Sequence, residues 1–191
     1  MRRFISLLLG TVVCGVMMAQ EPVVMNWTLE YGSKDDPGKL RQVEANVPGA
    51  VQLDIARAEG YAPYYYADNW RDYRWMEDRE FVYVASFIKP KLDNGQRLIF
   101  HALGIDYRFE ISLNGKMVLQ QEGMFTPVRL DLTSSLQVQN ELRIKIFPIP
   151  KKHSEPEDRS QASASFKPAV SYGWDWHPRL VPSGIWDDTW L

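Results

Sequence analysis

Cysteine is nearly absent. The 191 residues contain one, Cys14, so no disulfide can form within the chain and the fold must rest on its packed core. An excess of one charge is missing as well. Lys and Arg number 22 against 24 Asp and Glu, a net charge of −2, without the clustered cations that a phosphate backbone demands, so no nucleic-acid partner is expected. No apolar run reaches the roughly 20 residues of a membrane-spanning helix. The three histidines, His101, His153 and His177, share no ligand spacing, so no metal site is expected. There is no phosphate loop, dinucleotide fingerprint or Gly-x-Ser-x-Gly elbow, and no cofactor is expected. Length excludes a complete (β/α)₈ barrel, which needs about 250 residues. One globular domain is the natural reading.

The first 19 residues read as a leader. Arg2 and Arg3 precede 16 uncharged, mostly apolar residues, Phe4 to Ala19, and then Gln20, Glu21 and Pro22. A basic start, a short apolar stretch and a small residue before a polar boundary describe a secretory signal peptide. Export to the periplasm or the outside is therefore expected, with residues 1–19 removed and residues 20–191 forming the mature domain. A lipid anchor at Cys14 is the weaker alternative, because Val13 stands where a small residue is preferred. Removal of the leader leaves 20 cationic against 24 acidic side chains, a charge of −4.

What remains is rich in β signals. Short runs alternate apolar with polar side chains or carry β-branched and aromatic residues: 81–87, 97–100, 108–113, 117–120, 128–132 and 141–147. Asn114-Gly115 separates two of them and fits a type I′ hairpin turn, where both residues need positive φ. Strands at roughly ten-residue spacing predict an all-β jelly-roll sandwich. One short helix is expected over 49–59, between Pro48 and Gly60. Residues 148–168 carry four prolines and little apolar content. They read as a long exposed loop, mobile or resting on something outside this chain.

The aromatic residues are clumped. Seven of the fifteen residues from Tyr61 to Trp75 are Tyr or Trp, and four of seven tryptophans fall between 174 and 190. Trp186 and Trp190 are expected in the core. The 61–75 clump is interleaved with Pro63, Asp68, Asn69, Arg71, Asp72 and Arg74, which suits a surface packed against another protein body or a polar ligand. Tyr172-Gly173-Trp174-Asp175-Trp176-His177-Pro178 places a carboxylate between two indoles. A sugar offers C–H faces to aromatic rings and paired hydroxyls to a carboxylate; a buried Asp capping a turn would leave the same pattern. Asn140-Glu141 resembles the acid position of retaining glycosidases, but it opens an apparent sandwich strand and no second carboxylate is nominated.

Taken in order, several of these segments resemble the N-terminal, galactose-binding-domain-like sandwich of β-mannosidases in glycoside hydrolase family 2. The matching pieces are Trp27, Val47-Pro48-Gly49-Ala50-Val51-Gln52-Leu53-Asp54, Pro63 to Asn69, Trp75, Leu103-Gly104-Ile105-Asp106-Tyr107, Leu113-Asn114-Gly115, Met124-Phe125, Lys167-Pro168, Tyr172 to Trp176 and Gly184-Ile185-Trp186. The resemblance implies further sandwiches and a (β/α)₈ barrel with two catalytic glutamates beyond this domain, and release of terminal non-reducing β-mannose with retention. It implies that Asp175 binds hydroxyls of that sugar, a β-mannoside, while Trp174 and Trp176 shape the pocket wall. It also implies that Tyr64, Tyr65, Tyr66, Asn69 and Trp70 pack beside the catalytic barrel. His177 departs from the family pattern, which has Gly after the second Trp. Without the barrel's carboxylates this chain is expected to be inactive alone. A stand-alone carbohydrate-binding module, a pure interaction domain, and another family 2 activity such as β-galactosidase remain open at this point.

Overall fold

The structure, a computed structural model, describes residues 23–191. The leader and Cys14 lie outside them. Eleven strands are described: β1 (Trp27–Gly32), β2 (Leu40–Ala45), β3 (Phe81–Ile88), β4 (Ile99–Ala102), β5 (Ile105–Asp106), β6 (Arg108–Leu113), β7 (Lys116–Glu122), β8 (Val128–Asp131), β9 (Gln139–Ile146), β10 (Gly184–Ile185) and β11 (Thr189–Trp190). They form a six-stranded antiparallel sheet in the order β2-β1-β3-β9-β6-β7, faced by a three-stranded sheet β11-β4-β8 and a two-stranded pair β10-β5. This is the all-β sandwich that the strand spacing predicts.

Alternation drives the sandwich. In β1, Trp27, Leu29 and Tyr31 are buried while Thr28, Glu30 and Gly32 are less so. β6 buries Phe109, Ile111 and Leu113, and β9 buries Leu142, Ile144 and Ile146. These side chains meet Phe100, Ala102 and Val128 of the facing sheet in one continuous core. Each large apolar side chain buried this way contributes about 1.5–3 kcal/mol. β6 and β7 are joined at Asn114 and Gly115, which take φ values of 52° and 78°, so the expected positive-φ turn is present.

The helix α1 (Val51–Glu59) forms where expected, but it is held by long-range partners. Ala50, at its N-cap, supplies no side-chain cap. The Val51 N–H donates instead to the Ser183 carbonyl at 2.9 Å, and Gln52 Nε2 donates to the Val181 carbonyl at 2.9 Å. Gly49 N–H donates to Ile185 O at 2.8 Å. The segments around Gly104 and Gly184 also meet: β5 pairs with β10, and the Trp186 N–H donates to the Gly104 carbonyl at 3.1 Å.

Two expectations are corrected. Residues 148–168 are no free loop; they form a strap packed on this chain. Ile149 N–H donates to Glu77 O at 2.9 Å, Lys152 N–H to Gln161 O at 3.1 Å, and Tyr172 Oη to Pro150 O at 2.8 Å. Ile149, Ala162, Tyr172 and Val181 make a second small core. The strap's end is pinned by Lys167, fully buried, which donates to Asp106 Oδ2 and to the Pro182 carbonyl. Few apolar residues suffice because buried ion pairs and backbone hydrogen bonds anchor the strap. The second correction concerns Trp186 and Trp190, which are 38% and 39% exposed. Each covers the sandwich from outside, Trp186 over Gly104 and Trp190 against the His101 ring at 4.6 Å.

Candidate functional site

The Tyr172–Pro178 segment builds a projecting turn. Gly173 takes φ of 111°, a backbone direction that a side chain would strain. Trp174 and His177 then pair through two hydrogen bonds, Trp174 N–H to His177 O at 2.9 Å and His177 N–H to Trp174 O at 3.2 Å. Asp175 and Trp176 form the two-residue tip. Trp176 is 73% exposed and Trp174 41%. Asp175 is exposed and has no hydrogen bond or ion pair with any described residue. The reading of Asp175 as a buried turn cap is thereby overturned.

The feet of the turn are clamped. Tyr172 is fully buried, and Leu180 N–H donates to Ser171 O at 3.0 Å. Arg179 is buried with its Nε and Nη2 on the two oxygens of Glu77 at 3.0 and 2.7 Å, and Nη2 also reaches Gln161 Oε1 at 2.8 Å. Its guanidinium lies 5.4 Å from the Tyr172 ring centre. Lys151 completes the cluster at 3.2 Å from Glu77. Three segments therefore meet beneath the turn: the 3₁₀ stretch Asn69–Asp78, the strap and the chain that returns from the turn at Arg179.

Beside the turn lies an open groove of about 590 Å³, lined among others by Trp70, Arg74, Glu157, Arg159, Trp174 and Asp175. Arg159 sits over the Trp174 ring at 4.2 Å. Arg74 Nη2 donates to Glu157 Oε2 at 2.8 Å, which holds the Glu157 carboxyl below its usual range. Asp158 is likewise held low by its bonds from Ser160, whose N–H lies 2.7 Å away.

The structure brings Trp70 to the same groove as Trp174 and Asp175 but leaves Tyr64, Tyr65 and Tyr66 apart from it. Tyr64 packs edge-on to Tyr65 and Tyr73, with ring centres 5.4 and 6.1 Å apart. Tyr65 and Tyr66 are each 72% exposed. Asn69 Nδ2 donates to the Pro63 carbonyl at 2.9 Å, closing their loop. Tyr73 and Trp75 of the same clump join the core. Arg74, Glu157, Arg159 and Arg179 carry no motif, and residue type alone does not single them out. Asn140 is buried and bonded to Gln137 and Asn114, so the Asn140-Glu141 pair lies at the start of β9 as a structural element.

The family described as glycosyl hydrolase 2 galactose-binding domain-like matches residues 27–187, nearly all of the described chain. The chain belongs to that family. This glycosyl hydrolase 2 domain is 26% identical over 182 residues to β-mannosidase B of Aspergillus flavus, covering 88% of this chain and 21% of that protein. It is 28% identical over 155 residues to β-mannosidase B of Aspergillus clavatus, covering 73% and 18%. Among solved structures, β-D-mannosidase from Dictyoglomus thermophilum superposes with a TM-score of 0.70 at 26% identity, over 88% of this chain and 22% of that one. The chain thus spans about a fifth of the length of the relatives it matches, which continue into larger enzymes. Among the described residues, no helix is long and apolar enough to cross a membrane.

Proposed function

We propose that this chain is the leading domain of an exported β-mannosidase and that its Trp174–Asp175–Trp176 turn forms one wall of the pocket for the terminal mannose. The observation that carries the reading is Asp175: a solvent-facing carboxylate, with no hydrogen bond or ion pair among the described residues, between two exposed indoles on a clamped turn. A free carboxylate accepts hydrogen bonds from two vicinal hydroxyls, and the indoles offer apolar faces to sugar C–H groups. Similarity to proteins named β-mannosidase from two fungi and a bacterium supports mannose as the sugar. The catalytic carboxylates would lie in a barrel continuing the same gene product. Tyr65 and Tyr66, aromatic and exposed, would pack beside that barrel.

The test is the native product in its source cells. Its mass should be several times the 22.1 kDa of this chain, its first residue should be Gln20, and it should hydrolyse an aryl β-mannoside. Asp175→Ala should lower kcat/KM about 100-fold, the scale of losing charge-assisted hydrogen bonds that tighten in the transition state. A native mass equal to this chain's, with sugar binding abolished by Asp175→Ala, would instead support a stand-alone carbohydrate-binding module.

A further inference from the structure

The sequence contains two Asn-Gly pairs, Asn94-Gly95 and Asn114-Gly115, and the fold treats them differently. Asparagine is a chemically labile side chain, and a following glycine leaves the next backbone nitrogen unshielded and its dihedrals free. Asn114-Gly115 joins β6 to β7, and its side chain is held at both ends. Asn114 Nδ2 donates to Asn140 Oδ1 at 3.1 Å and to the Ser135 carbonyl at 3.3 Å, and its Oδ1 accepts from the Glu141 N–H at 3.0 Å. Asn140 is buried, and its own amide is fixed by Gln137, whose N–H donates to Oδ1 at 2.8 Å and whose carbonyl accepts from Nδ2 at 2.9 Å. Turning the Asn114 amide onto the Gly115 nitrogen breaks the bonds that hold it. A carboxylate, which only accepts, would then face two fixed acceptors at Ser135 and Asn140.

Asn94-Gly95 lies in the loop between β3 and β4 and has none of this support. Its turn is closed by the flanking residues: Gln96 N–H donates to Asp93 O at 3.0 Å, and Asp93 N–H to Gln96 Oε1 at 2.7 Å. Gly95 takes φ of 84°, and a Cβ there would meet nothing within 4 Å. Both residues are exposed, and neither the Asn94 amide nor the Gly95 N–H has a hydrogen bond with any described residue. Nucleophile, leaving group and water are therefore all free to meet.

We infer that Asn94 is a site of spontaneous deamidation in the folded protein, and that Ser135, Asn140 and Glu141 protect Asn114 from the same reaction. The Gly95 nitrogen bonds to Asn94 Cγ while its proton passes through solvent to Nδ2. The Cγ–Nδ2 bond breaks, ammonia leaves, and a cyclic imide joins the two residues. Water adds to either imide carbonyl and the carbon–nitrogen bond there breaks, giving aspartate or, with the main chain rerouted through Cγ, isoaspartate. Each product adds one negative charge to a chain of net charge −2. The change stays local, because the Leu98 N–H is anchored on Thr133 Oγ1 at 2.9 Å just beyond the turn. Nothing in this inference depends on the sugar reading.

The test is peptide mapping by mass spectrometry of the purified protein held in mildly alkaline buffer, with and without guanidinium chloride. Isoaspartate is located by its fragment ions. In native solution Asn94 should convert at least about tenfold faster than Asn114, since breaking even one side-chain hydrogen bond slows the reaction by about that factor. In guanidinium the two rates should converge, because the unfolded chain presents both pairs bare. Asn94→Gln, whose longer side chain closes the ring poorly, should remove the acidic form seen on isoelectric focusing. Equal rates in the native protein would overturn the inference, and so would an Asn94 that converts only in denaturant. A preference for Asn94 that persists in guanidinium would put the difference in neighbouring residues, not in the fold, and overturns the protection of Asn114. An acidic form that survives in Asn94→Gln would place the modification elsewhere.

Discussion

Arg179 and Glu77 form a two-pronged buried ion pair at 3.0 and 2.7 Å, although 102 residues separate them. The pair joins the aromatic 3₁₀ stretch to the foot of the Trp-Asp-Trp turn, with Gln161 of the strap as a third member. Removing one partner strands charge in the interior, which is far costlier than removing the pair together. Glu77→Ala, which leaves buried Arg179 without a carboxylate and Lys151 with Asp78 alone, should cost about 3–5 kcal/mol by urea unfolding. The double replacement Glu77→Leu with Arg179→Met should cost clearly less. A loss below about 1 kcal/mol for Glu77→Ala would mean that the cluster does not hold the turn.

Asp175 should show the opposite behaviour. It is exposed and has no hydrogen bond or ion pair with any described residue, so Asp175→Ala should leave unfolding free energy unchanged within about 0.5 kcal/mol. A large loss of stability would reveal a structural role and weaken the case for a ligand-binding carboxylate.

Gly104 and Trp186 test the join between the two sheet edges. A Cβ at Gly104 would stand 2.4 Å from the Trp186 ring, and that ring is fixed by its Nε1–H bond to the Met124 carbonyl at 3.1 Å. Gly104→Ala should destabilise by about 1–3 kcal/mol, as overpacking does. The same variant should shift Trp186 fluorescence toward the solvent-exposed range. An unchanged midpoint with unchanged emission would show that the ring has room to move.

Asp54 carries a pH signature. Burial pushes its carboxyl above the usual range, opposed by the Asn46 N–H and the Arg57 guanidinium, each 3.2 Å away. A raised acid in the folded state binds more protons there than in the unfolded chain. Its contribution to stability is therefore greatest below the unfolded value of 3.8 and declines as pH rises through the higher folded value. Asp54→Asn keeps the Oδ1 acceptor for Asn46 and removes the titration. Urea unfolding between pH 4 and 7, a window on the order of that between acid and neutral solution, should show a shallower fall with rising pH for the variant than for the parent. Parallel curves would show that Asp54 does not titrate differently on folding.

Local pattern made much of this architecture legible. Residues 108–113 form a strand because Phe109, Ile111 and Leu113 recur at the period of a pleated sheet, and Asn114-Gly115 tolerates the φ values that turn the chain back. The run 97–100 was displaced, since β4 occupies Ile99–Ala102: its pairing with β8 and β11, and not its own alternation, sets its limits. β2 escaped the pattern because it is an edge strand with most of its residues exposed, so it has little need of apolar side chains. Trp186 and Trp190 illustrate the reverse error, since a large aromatic ring covers a sandwich from outside as readily as it fills the inside.

The amino-acid order alone determined six of the eleven described strands, the Asn114-Gly115 hairpin, the short helix and the presence of a carboxylate between two indoles, because each depends on neighbours within a few residues. Only the tertiary structure decided which of those features face a common space. The strap is folded by partners far away in the chain, Glu77, Tyr107 and Asp106, and proline-rich polar sequence carries no trace of them. That packing places Arg159 over Trp174 and brings Trp70 to the same groove. A groove is a property of juxtaposed surfaces, and its charge balance exists only once segments remote in sequence have been brought to one place.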